Sequence, residues 1–177
     1  MSNTSRPFTI DIPNNEVLAT AIQFRKTAEL LCTDLVQNQL VIPFMVNCAL
    51  ALELYLKALN SKNVHYPIED DLPLSKGYAI FSEPVTKKHE LTKVFDDLFS
   101  EIQAELSAVY ATTPVVPQAA GIRDALLAFD NLFTRQRYWF EQRNHSSGNS
   151  LTALFELVSV VGNYVERLQP RQLVSSE

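Results

Sequence analysis

The chain has 177 residues, the size of one domain, and a domain of that length buries roughly 70% of the surface its unfolded form exposes. Hydrophobic residues at 46% and charged residues at 20% exclude a disordered or fibrous chain. A net charge of -5 supplies no overall attraction for phosphate backbones. DNA is therefore not expected as a partner, and any contact with RNA or a nucleotide has to use a local basic patch.

The N-terminal residues lack the basic region and apolar run of a signal peptide, and no uninterrupted apolar segment is long enough to span a bilayer. A cytoplasmic protein without membrane contact is expected. Residues 1–15 read as an arm in which Phe8 to Ile12 alternates apolar and polar residues, as a short edge strand does, until Pro13 stops it. A helical domain is expected over residues 16–168. Its first helix runs from Glu16 to about Gln39, with Leu18, Ile22, Leu30, Leu31 and Leu35 at helical spacing and Asn14 or Asn15 as the cap. The second runs from about Val41 to Asn60 and is apolar almost all round, which places it in the middle of a bundle. Its polar exceptions are Asn47, Glu53 and Lys57; the last two have the Glu-to-Lys spacing of four that fits either a helical ion pair or a solvated stripe.

Residues 64–85 hold Pro67, Pro73, Gly77 and Pro84, and a structureless connection of that length is unusual in a compact domain. Tyr78 to Phe81 is strand-like and can pair with the N-terminal arm or with Val64 to Tyr66, giving a small β element. The third helix begins near Thr86 and aligns Leu91, Val94, Phe95, Leu98, Ile102 and Leu106 on one face. The fourth extends from about Gln118 beyond Glu141, broken by the polar turn Asn144 to Asn149, and the fifth spans about Ser150 to Leu168. Residues 169–177 read as a flexible tail. The expected fold is all-α, an up-and-down bundle of about five helices.

Candidate chemistry concentrates on the fourth helix, where Asp130, Thr134, Arg137 and Glu141 form one stripe beside the aromatic core face. Arg137 keeps its charge, so it needs a carboxylate such as Glu141 or Glu53, or a place at a subunit boundary; the alternative is a surface ladder of weak pairs. His89 falls off the apolar arc of its helix and reads as a solvated or capping residue. It becomes a general base only if the fold brings it near Arg137 or His145. Cys32 and Cys48 read as small core residues, and the three histidines are too dispersed for a ligand set, so neither a metal nor a cofactor is expected. Phosphate loops, HExxH helices and GxSxG elbows are absent from the sequence.

Three blocks, Asn47 to Leu59 with its ALELYLKAL core, Lys88-His89 to Phe95, and Phe133 to Glu141 with Arg137-Tyr138 and Glu141, occur in the order seen in small HEPN-like proteins, and the chain resembles that superfamily over about Leu18 to Leu168. The resemblance implies a helical bundle that commonly dimerises, and metal-independent ribonuclease activity in toxin–antitoxin, phage-defence or CRISPR settings among many relatives. Those nucleases place a histidine a few residues after an arginine at the dimer interface. Here seven residues separate Arg137 from His145 and one separates Arg143 from it, so neither pair has that spacing.

The expectation is therefore a non-catalytic, homodimeric interaction or ligand-sensing module with a polar cluster of Asn47, Glu53, Lys57, His89, Arg137, Tyr138 and Glu141. A protein partner encoded nearby fits that role. Two alternatives stand beside it. One is a ribonuclease built from Arg137, Arg143 and His145 of two subunits; the other is a nucleotide-binding domain with Lys57, Arg137 and Arg143 on phosphates and Tyr138 or Trp139 on a base.

Overall fold

A computed structural model of the chain describes residues 9–33, 35, 39–67, 78–114, 119–132 and 150–174. The described part is mostly helical and carries two small antiparallel sheets of two strands each. In chain order the elements are β1 (Thr9–Ile12), α1 (Asn15–Cys32), α2 (Val41–Ala58), β2 (Ser61–Pro67), β3 (Tyr78–Pro84), α3 (Leu91–Asp96), α4 (Ser100–Thr112), α5 (Ile122–Leu127), α6 (Leu151–Arg167) and β4 (Arg171–Val174).

Helix α2 occupies the centre because it has almost no polar side: Phe44, Met45, Cys48, Leu52, Tyr55 and Leu56 are all buried. It packs against α1 on one flank and α6 on another, with α3 across it. By length and composition α2 would suffice to cross a bilayer, contrary to the sequence expectation. In the fold most of that apolar surface is covered by protein instead. Helix α1 meets it through Ala21 and Ala28, both fully buried, and these small side chains let the two backbones approach.

Asn14 joins this helical pair to the β2–β3 hairpin. Its carboxamide oxygen accepts from the Val17 backbone N–H, capping α1, and also from the Ser82 hydroxyl, while its amide donates to Asn63 at 2.9 Å. The Asn14 backbone N–H donates to the Ala58 carbonyl at the end of α2, so one buried residue ties three elements.

Five sequence expectations are corrected. Helix α1 stops at Cys32 rather than near Gln39, and Leu30 faces outward at 75% exposure because it sits about 200° round the helix from Ala28. Cys32, at the helix end, is exposed, so only Cys48 is a core residue. The expected third helix is two: after α3 the chain turns at Asp97 to Phe99, and the carbonyls this frees are taken by the Gln103 amide, which donates to Asp96 and Leu98, and by the Asn60 amide, which donates to Asp97. The expected fourth helix is interrupted within its described part, where α5 ends at Leu127 and Asn131 adopts a left-handed φ of 58°, a conformation Asn tolerates at a helix end. Arg171–Val174, within the expected tail, is a strand that pairs with β1 in the register Ile10 to Leu173, both buried. The N-terminal strand and the hairpin arise where the alternation and strand-like residues indicated, with Tyr78–Pro84 pairing against Ser61–Pro67.

The two cysteines should therefore react differently. Burial pushes the Cys48 thiol up to about 12, leaving almost no thiolate at neutral pH. An alkylating reagent should add once to the native protein, at Cys32, and reach Cys48 only on unfolding. Equal labelling rates in the native state, followed by peptide mass spectrometry, would contradict this placement.

Candidate functional site

Two of the three motif blocks meet at the middle of the molecule. Glu53 and Lys57 lie one turn apart on α2, and both side chains are only 9% exposed. Their burial follows from the apolar helix that carries them, since α2 has no solvated stripe for them to join. The Lys57 ammonium donates to Glu53 Oε1 at 2.7 Å, so of the two readings of this spacing the ion pair holds. The same oxygen lies 2.9 Å from Nδ1 of His89. A carboxylate oxygen can only accept, so Nδ1 carries the proton and the other ring nitrogen is left toward solvent, consistent with a side chain 68% exposed.

His89 precedes α3 by two residues, and the first turn of α3 makes a second polar connection. The Thr92 backbone N–H donates to Asp130 at 2.9 Å, and the Thr92 hydroxyl donates to the other oxygen of the same carboxylate. The start of α3 is thus held from two sides, by Glu53 of α2 and by Asp130 just beyond α5.

The predicted residues divide into three groups. Glu53, Lys57 and His89 come together as described. Asn47 does not join them; its amide donates to the Pro43 carbonyl one turn earlier on α2. Arg137, Tyr138, Glu141, Arg143 and His145 lie outside the described residues, as does Trp139. Among the described residues no group of three or more His, Cys, Asp or Glu side chains is placed to hold a metal ion. What the described cluster offers chemically is an imidazole oriented by a carboxylate that is itself held by an ammonium, a rigid arrangement whose outward nitrogen can give or take one proton.

Two further polar clusters carry residues that periodicity alone did not single out. In one, the Tyr55 hydroxyl and the Arg25 guanidinium both donate to Glu166, and Arg25 also reaches Asn163 and Glu29. Burial, reinforced by Glu166, pushes the Tyr55 phenol well above its ordinary value. In the other, Glu105 of α4 accepts from the Tyr164 hydroxyl at 2.7 Å and from Arg171 of β4 at 2.8 Å. Burial alone would raise the Glu105 carboxyl, but these two donors hold it below the usual glutamate value. The signal available in sequence was a tyrosine in each of two apolar helices, since a buried hydroxyl needs a partner. The partners themselves are distant in sequence and could not be paired from it.

Beside this second cluster an open-sided groove of about 710 Å³ runs between the end of α4, the C-terminal half of α6 and the turn into β4. Compared with known proteins, the chain matches no family model, no curated protein and no solved structure.

Proposed function

We propose that the chain is a HEPN-like up-and-down bundle that works as a non-catalytic, homodimeric interaction or ligand-sensing module in a bacterial defence or regulatory setting. The observation that carries this reading is the Lys57–Glu53–His89 cluster: residues of two motif blocks, far apart in sequence, are bonded to one another and lock α2 to the start of α3. Their polar atoms serve the fold. The nuclease alternative lacks the expected spacing between arginine and histidine, and the acidic surface of a chain carrying -5 gives RNA little general attraction.

The test combines mass and activity. Sedimentation at micromolar concentration should give twice the 20.0 kDa chain mass, and incubation with structured and single-stranded RNA in the presence of a chelator should leave the RNA intact. A strictly monomeric mass removes the dimer from the reading. Metal-independent cleavage that disappears in a fully folded His145→Ala protein replaces the module with a ribonuclease.

A further inference from the structure

We propose that the groove between α4, α6 and β4 binds a small amphipathic anion, a carboxylate or phosphate monoester head on an apolar body. This names the ligand class for the ligand-sensing reading and rests on it. Volume comes first: about 710 Å³ lies in the range of pockets that take small organic ligands. The walls are mixed. Val109 and Val160 supply apolar surface, and Pro114, Leu168 and Pro170 add to it, which suits a hydrocarbon body and not a hydrated ion alone.

The polar part of the lining includes two arginines, Arg167 and Arg171. Arg171 spends one guanidinium nitrogen on Glu105, but its Nε is buried and makes no hydrogen bond, and it is the one such side-chain atom among the described residues. A buried N–H on a charged group without an acceptor costs free energy that an incoming anionic oxygen recovers. Arg167, in the last turn of α6, also lines the groove and makes no ion pair among the described residues. Against these two cations stand Glu105, already accepting from Tyr164 and Arg171, and Glu156, which lines the groove and has a partner of its own. Among the described residues Arg167 is thus the lining cation left without a carboxylate, beside an apolar wall, and a negative head group would supply one. A neutral oxygen could also accept from Nε, but only an anion would both accept from it and balance the charge of Arg167.

Calorimetric titration of the full chain with octanoate, octyl phosphate, octylammonium and acetate tests this. Saturable one-to-one binding is expected for octanoate or octyl phosphate, and the tighter of the two identifies the head group. Acetate and octylammonium should bind at least tenfold more weakly, the first lacking the apolar body and the second the anionic oxygen. Arg167→Gln removes a side chain that makes no bond among the described residues, so it should leave the melting temperature unchanged and weaken the anion several-fold. Arg171→Gln should weaken it by about tenfold or more, with far-UV circular dichroism confirming that the strand persists. Equal binding of octylammonium, unchanged affinity in Arg167→Gln, or no saturable binding of either anion each overturns the groove assignment. The same preparations incubated with RNA report separately on the module reading, since cleavage would overturn that reading whether or not the groove is filled.

Discussion

Lys57→Met should destabilise the protein by about 3 to 5 kcal/mol, and Glu53→Leu by a similar amount, whereas the two changes together should cost little or even stabilise it. The asymmetry follows from burial. Each side chain is 9% exposed, so removing one partner strands the other charge in the most apolar helix of the molecule. His89 cannot rescue either single variant fully, because it is mostly exposed and meets only one oxygen of Glu53. His89→Ala should therefore cost less than about 1 kcal/mol. Removing both charges at once leaves no stranded ion, and Leu and Met keep the buried site apolar. Urea denaturation of the four proteins completes a double-mutant cycle. Single-variant losses below about 1 kcal/mol, or a double variant showing the plain sum of the singles, would mean that the pair is solvated in solution. A stable double variant that still dimerises and still binds the groove anion would show that these motif residues shape the bundle and do not contact its ligand.

The parts of this structure that could be read from the sequence are those set by local rules. The all-round apolar pattern of Val41 to Asn60 placed α2 in the centre, and Asn14 and Ser150 stood at helix starts as their side chains require. The spacing of Glu53 and Lys57 allowed an ion pair without choosing it over a solvated stripe, and burial decides between them. Reading failed where tertiary contacts overrode periodicity. The apolar stripe from Leu91 to Leu106 continues through the α3–α4 break, where Leu98 is buried, so periodicity does not show the turn; the side chains of Asn60 and Gln103 that take up its freed carbonyls do. Strand β4 was missed for a similar reason. Arg171 to Val174 is four residues long with one buried side chain, Leu173, too little pattern to register without its partner β1. The groove could not be foreseen either, since its two cations flank the turn between α6 and β4 and its apolar wall comes partly from α4, some fifty residues earlier in the sequence.

Gly162→Ala should be destabilising by about 1 to 3 kcal/mol, although the same change in an ordinary helix interior would stabilise by about 1 kcal/mol. Gly162 lies in the middle of α6, where helix propensity disfavours it. A Cβ placed there would stand 2.9 Å from Cε2 of Tyr55 and 2.8 Å from Nη1 of Arg25. The guanidinium is the end of a flexible side chain and can move, at the expense of its bonds to Asn163 and Glu166. The ring cannot. Tyr55 is fully buried in α2 and its hydroxyl is bonded to Glu166, so relief requires α6 to shift away from the central helix. Overpacking therefore outweighs the gain in propensity. Tyr55→Phe should not relieve the clash, because Cε2 remains, while Tyr55→Leu should: in the Tyr55→Leu background, Gly162→Ala should cost markedly less than in the wild type. Chemical denaturation of the wild type and of the two Tyr55 variants, each with and without Gly162→Ala, decides it. A Gly162→Ala protein more stable than the wild type would show that α6 and α2 pack less closely than the ring contact requires.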